Sequence, residues 1–377
     1  MKINSLLTCM CSFVGVSILF LFLETSCRGY NSQNFATYSG LCPANFDTII
    51  DGKQVKLYTL RNHQGMEVCV TNYGPRIVSI AIPDTTNKKW LDVVLGFQSI
   101  HEYINKPHCL DLSAEHADLS DNHSVSIDEN AVHHNNSQSL QMLSLKHQVF
   151  EAEWLDAENL AMKSHYSNGI DSTDMTIVYT IASDKNSLVI GMQSKVTTPT
   201  VMQLPYGTVF NMSGDPNLSI QDHLLYVNAD SLVHTNGSKD IQVEPLVKDK
   251  SFDFRTPHMI GDVMQDTTTF VRTYNGLDYI YILDTRAMLE KPALQLKSPR
   301  SGLSMTILTD EPDIYLYTLN RPDFQCEGKH GVVYRTHAGI AIEPGRFSDI
   351  DKHLNRSIQL MPGDTYRSTV IYSFGWR

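Results

Sequence analysis

From Val55 to Ser373 the chain is written largely in short runs that alternate apolar and polar residues. No other feature restricts the fold as much. Val55-Lys56-Leu57-Tyr58-Thr59-Leu60 alternates, Asn62 to Gly65 carries turn residues, and Met66-Glu67-Val68-Cys69-Val70-Thr71 alternates again. Ile77 to Ile82 forms a further run that stops at Pro83-Asp84. The texture returns in Met175–Ile181, Ser187–Met192, Gln295–Lys297, Leu303–Leu308, Tyr315–Leu319 and Thr369–Ser373. A two-residue period places alternate side chains on opposite faces of a strand, and Gly, Pro, Asn and Asp between such runs supply the turns. A sustained apolar stripe at helical spacing is missing, apart from the short stretch Phe97 to Tyr103. Dense strands without helices predict an all-β fold, a large antiparallel β-sandwich. The 377 residues, 42% of them hydrophobic, are enough to fill its core.

The N-terminus reads differently. Lys2 precedes an uncharged, mostly apolar run from Leu6 to Leu23, which Glu24 ends before the small residues Thr25, Ser26 and Cys27. This is the pattern of a signal peptide over 1–27; its length of eighteen residues also fits a retained signal anchor. The expected organisation is therefore 1–27 targeting segment, 28–52 polar and irregular N-terminal extension, and 53–377 β-sandwich domain. The expected location is secreted, with a signal-anchored membrane protein as the alternative. Six Asn-x-Ser sequons, at Asn122, Asn135, Asn211, Asn217, Asn236 and Asn355, agree with a glycosylated secreted protein. Asn211 directly follows a strand, which argues against its use. Beyond the targeting segment the cysteines are Cys42, Cys69, Cys109 and Cys326; in an oxidising compartment they allow three complete pairings, and spacing does not choose among them. Cys69, inside an apolar strand, equally reads as a buried free thiol.

The net charge of -11 argues against nucleic acid or an anionic membrane surface as partner. Seven of the fifteen histidines lie between His101 and His147, but their spacing matches no metal-ligand pattern, and the Asn-, Ser- and Asp-rich surroundings read as a polar loop region. No glycine-rich phosphate loop is present. The expectation is no metal and no cofactor.

Several runs in order resemble the aldose 1-epimerase (galactose mutarotase) family. They are Asn72-Tyr73-Gly74-Pro75-Arg76-Ile77-Val78-Ser79, Asp92-Val93-Val94-Leu95-Gly96-Phe97, Phe252-Asp253-Phe254-Arg255, Gly276-Leu277-Asp278 and Tyr315-Leu316-Tyr317-Thr318-Leu319-Asn320. The ending Leu360-Met361-Pro362-Gly363-Asp364-Thr365-Tyr366 is similar to the family's last hairpin. The resemblance implies a galactose mutarotase-like sandwich with a sugar cleft on one sheet. There, a carboxylate removes the proton from the sugar's C1 hydroxyl while a histidine protonates the ring oxygen.

By that resemblance Ile340-Ala341-Ile342-Glu343 places Glu343 as the base, with Gly345 where the family has a glutamine. Asp278 stands where the family's aspartate holds sugar hydroxyls, and Tyr279 replaces the histidine beside it. The segment Gln203-Leu204-Pro205-Tyr206-Gly207-Thr208-Val209-Phe210-Asn211 resembles the strand that carries the acid, but the acid's position is Gly207. Glycine transfers no proton. The arginine loop expected near 115–121 and a second histidine expected near Leu140–Leu143 are also missing. The implied protein is a degenerate relative that binds a hexose or glycan and has little or no mutarotase activity. Two alternatives stand beside it: an active aldose 1-epimerase with another acid, and a non-enzymatic module with an extracellular protein partner.

Overall fold

The computed structural model describes residues 37–376 apart from 107–108, 111–140, 143–146, 168–171, 198–199, 202–206, 236–240, 247, 249, 267–274 and 348–358. The targeting segment, the arginine-loop position, most of the histidine-rich stretch and the sequons at Asn122, Asn135, Asn236 and Asn355 lie outside the described residues.

Two large antiparallel sheets face each other. The first has nine strands in the order His258–Met259, Leu224–Val227, Leu294–Lys297, Leu303–Thr309, Thr365–Trp376, Ser187–Val196, Ser172–Ile181, Asn159–Ser167 and Glu151–Trp154. Its long strands alternate buried with part-exposed residues, as Leu303–Thr309 does without a break. One face is therefore core and the other is wet. The second sheet has seven strands in the order Ile241–Pro245, Ala229–Thr235, Asp278–Leu283, Asp313–Tyr317, Ile340–Gly345, Thr208–Phe210 and Val94–Leu95. Ile177, Tyr179, Ile190, Val370 and Tyr372 from the first sheet pack with Phe210, Ile314, Leu316, Ile340 and Ile342 from the second in one apolar core.

The second sheet is buried on both faces at its centre: every residue of Asp313–Tyr317 and of Ile340–Gly345 is buried. Even-numbered residues of these strands, such as Ile314, Leu316 and Ile342, enter the core between the sheets. Their odd-numbered neighbours Tyr315, Tyr317 and Ala341 belong to a separate apolar cluster on the opposite face, with Val209, Ile280 and Phe347. That cluster extends to Leu41, Phe46, Val55 and Cys69, from the N-terminal residues and the four-stranded sheet Leu57–Arg61, Glu67–Thr71, Arg76–Asp84 and Lys89–Asp92.

Residues 37–55 fold onto this layer. Leu41 and Phe46 are fully buried, and Thr48–Ile50 pairs with Lys53–Val55, so a hairpin spans position 52. The Tyr38 amide donates to the buried Glu67 carboxylate at 2.6 Å, and the Tyr38 ring stacks on Trp90. The polar look of this stretch conceals two apolar anchors.

The Phe97–Tyr103 exception is realised as a helix over Ile100–Asn105. The strand expected over Tyr315–Leu319 runs instead from Asp313 to Tyr317. Leu319 takes a left-handed φ of 50°, which ends extended pairing there. Among the cysteines, Cys109 and Cys326 form a disulfide across 217 residues, while Cys42 and Cys69 are buried free thiols.

Candidate functional site

Glu343 lies at the centre of the seven-stranded sheet, 6% exposed, on the face turned away from the inter-sheet core. Its direct partner on one side is Tyr315. On the other side the ladder runs Phe210–Ile340, Val209–Ala341 and Thr208–Ile342. One further step of that register sets Gly207 opposite Glu343. Direct partners in an antiparallel pair project to the same face with Cβ atoms about 4.5–5.5 Å apart. On that continuation, one residue beyond the last paired residue Thr208, the position without a side chain stands across from the carboxylate. Gly207 is half-buried, whereas Thr208, Val209 and Phe210 are buried.

Asp278 opens the next strand but one and pairs with Tyr317. Two-residue periodicity puts Asp278, Tyr317 and Tyr315 on the face of Glu343. The Tyr315 hydroxyl donates to the Asp278 carboxylate at 2.8 Å. The Tyr315 ring meets Phe347 edge-on at 6.4 Å and Tyr317 in a stack at 6.5 Å. The two carboxylates expected from the sequence are thus brought to one face, with a phenol between them that was not expected. Asp313, fully buried and two residues before Tyr315, shares this face and was also not expected; it pairs with Gly345. The run Asp313-Ile314-Tyr315-Leu316-Tyr317 contained the signal, a polar or aromatic residue at every second position. Only the neighbouring strand gives that pattern a site to face.

Tyr279 turns the other way. It is buried in the inter-sheet core with Tyr281 and cannot act in the histidine's place. Burial, with the charge of Glu343 adding to it, holds the core phenol of Tyr372 above its ordinary range. Of the acid strand only Gly207 onward is described; Gln203 to Tyr206, Leu140 and Leu143 lie outside the described residues.

The local chain around Asp278 is tied down by hydrogen bonds. Gly276 has a φ of 149°, and a Cβ there would come within 2.3 Å of the Asn320 Oδ1 and 2.5 Å of the Thr318 Oγ1. Only glycine fits. The Leu277 amide donates to the Thr318 hydroxyl at 2.9 Å, and the Asn320 amide group donates to the Leu277 carbonyl at 2.7 Å. His337 donates from Nε2 to the Asn275 carbonyl at 2.8 Å. Burial holds its pKa below the usual histidine range.

The end of the Gly207 strand is fixed in the same manner. Asn211 is 1% exposed, and its Nδ2 donates to the carbonyls of Leu218 and Ala338, each at 2.8 Å. This sequon is used structurally; the Asn217 side chain is exposed. The next amide, Met212, donates to His223 Nε2 at 3.0 Å, while His223 Nδ1 donates to Asp222 at 3.0 Å. His223 is fully buried, and burial holds its pKa below the ordinary value of 6.5.

A sandwich of two large antiparallel sheets, the second with Asp278 and Glu343 on the face away from the shared core, defines the class of fold. The aldose 1-epimerase family model matches residues 172–373, more than half of the 377 residues. The chain belongs to the aldose 1-epimerase family. Human galactose mutarotase is 26% identical over 202 residues, covering 52% of this chain and 56% of that protein. The chain thus matches a little over half the length of that relative. Aldose 1-epimerase of Haemophilus influenzae is 26% identical over 322 residues, covering 80% of this chain and 90% of that protein. The fold matches the crystal structure of an aldose epimerase homologue from C. elegans with a TM-score of 0.66 at 21% identity. That match covers 85% of this chain and 99% of the other.

Proposed function

We infer that this protein binds a hexose or glycan through Glu343 and Asp278 and catalyses mutarotation weakly or not at all. One observation carries the reading: the ladder of Thr208–Phe210 with Ile340–Ile342, continued one step, sets Gly207, which has no side chain to give a proton, across from Glu343. Ring opening needs a proton delivered to the ring oxygen while the C1 hydroxyl loses one. A missing general acid typically costs about 10²–10⁴-fold in rate. Tyr315 does not supply the lack, because its O–H is already donated to Asp278. The carboxylates remain suited to accepting hydrogen bonds from sugar hydroxyls. The apolar start and the sequons support a secreted protein, with exposed Asn217 a usable glycosylation site and buried Asn211 an unusable one.

Two measurements on the recombinant protein test this. Calorimetry against D-galactose, D-glucose and their oligosaccharides should give saturable binding that Asp278→Asn and Glu343→Gln weaken. Polarimetry on fresh α-D-glucose and α-D-galactose should give a rate near that of buffer. Binding of no saccharide would overturn the sugar-binding reading; a rate typical of an efficient enzyme would overturn the loss of catalysis.

A further inference from the structure

All three tryptophans of the chain, Trp90, Trp154 and Trp376, are exposed, at 41%, 45% and 39%. Side chains with so much apolar ring are on average well buried. Hydrogen bonds between turns gather the three at one end of the sandwich. Trp154 and the exposed Leu155 end the edge strand Glu151–Trp154, and the turn after them is tied to its neighbour by the Ile181 amide, which donates to the Glu158 carbonyl at 3.0 Å. Asn62 Nδ2 donates to the carbonyls of Ala182 and Lys185, each at 2.9 Å, and the Phe374 amide donates to the Asn186 carbonyl at 2.8 Å. Trp376 Nε1 donates to the Pro83 carbonyl at 3.2 Å, and Trp90 Nε1 to the Gly65 carbonyl at 2.9 Å. These two indole N–H groups are spent on the protein, so what they offer to solvent is ring. The exposed Tyr38 ring stacks on Trp90.

Two further observations bear on what covers this end. Its charges mix: Lys88, Lys89 and Lys185 stand among Asp84, Asp156, Glu158 and Asp184, and Arg61 pairs with Glu67. The chain's net charge of -11 is therefore carried elsewhere. The preceding chain also arrives here, because only residues 24–36 separate Thr37 from the apolar run Leu6–Leu23. Such a run set in a bilayer delivers this end of the domain to the lipid first.

We propose that this end seats the domain on the surface of a phospholipid bilayer with zwitterionic headgroups, through Trp90, Trp154 and Trp376 with Tyr38 and Leu155. Indole and phenol rings favour the headgroup level, where an apolar body and a polar edge are both accommodated. A near-neutral end meets no repulsion there and gains little from anionic lipid. The secreted chain is floated with vesicles of phosphatidylcholine, with and without phosphatidylserine. It should rise with both to a similar extent, and its tryptophan emission should shift to the blue and be quenched by lipids brominated in the acyl chain. The double variant Trp90→Ser/Trp376→Ser should lower the partition coefficient about tenfold or more, since binding scales with the apolar area buried. Met259→Ser, an equally exposed apolar residue on the opposite edge strand of the nine-stranded sheet, should leave it unchanged. Thermal unfolding of both variants separates a lost contact from a damaged fold, and quenching on the unmutated chain needs no variant. A chain that stays with the free protein, emission that lipid does not quench, or binding that appears only with phosphatidylserine overturns the proposal. So does self-association, measured by sedimentation, that covers the indoles, which assigns this end to a second copy of the chain.

Discussion

Restoring an imidazole at position 207 should restore catalysis. The ladder of Thr208–Phe210 with Ile340–Ile342 sets Gly207 opposite Glu343, so the side chain of Gly207→His starts about 5 Å from the Glu343 Cβ, on the same face. Base and acid would then flank a bound ring. A positioned general acid contributes about 10²–10⁴-fold, equivalent to about 3–5 kcal/mol of barrier. The half-buried state of Gly207 argues that the imidazole can be accommodated, at a stability cost that thermal unfolding reads directly. The assay is polarimetry on fresh α-D-glucose and α-D-galactose, comparing the unmutated chain, Gly207→His, Gly207→Ala and the double variant Gly207→His/Glu343→Gln. A gain of about 10²-fold or more is expected in Gly207→His alone. It should vanish in the double variant and peak near neutral pH, where the imidazole can both give and take a proton. A folded, sugar-binding Gly207→His protein with the rate of its parent would refute the assigned register or the view that the acid is what this site lacks.

Four other outcomes follow from particular contacts. Tyr315→Phe removes the part-buried 2.8 Å bond to the Asp278 carboxylate and should change stability or ligand affinity by about 1–3 kcal/mol; unfolding and calorimetry read the two separately. Acidification should destabilise the protein through His223 and His337: both folded pKa values are lowered by burial, so their stabilisation is complete above the ordinary 6.5 and is lost as pH falls through the folded values. A melting temperature unchanged between pH 7 and 5 would contradict this. Replacing Cys109 and Cys326 by serine opens a link across 217 residues and should cost about 2–5 kcal/mol by denaturant unfolding. Glycopeptide mass spectrometry of the secreted chain should find Asn211 unmodified even where Asn217 carries glycan, because the Asn211 amide is spent on two carbonyls.

The strand runs were legible because side-chain alternation is local: Leu303–Leu308 and Ser187–Met192 announce themselves and fold nearly as read. The N-terminal stretch was less legible, since Leu41 and Phe46 are isolated apolar residues whose burial depends on a sheet that follows them in the chain. Two candidate site residues, Glu343 and Asp278, could be named from the motifs around them, and the fold puts them on one face. Tyr315 and Asp313 could not, although they sit in a strand that was expected.

By itself, then, the sequence determined the class of fold and, through its ordered motifs, the family. The tertiary structure decided what stands beside what. Periodicity tells which side chains of one strand share a face, but it is silent on which strand lies alongside and in what register. Residues 207, 278, 315 and 343 are far apart in the chain and meet only because the Asp278–Leu283, Asp313–Tyr317, Ile340–Gly345 and Thr208–Phe210 strands pair in that order. That pairing, fixed by burial on both faces of the sheet, sets Tyr315, bonded to Asp278, directly beside Glu343.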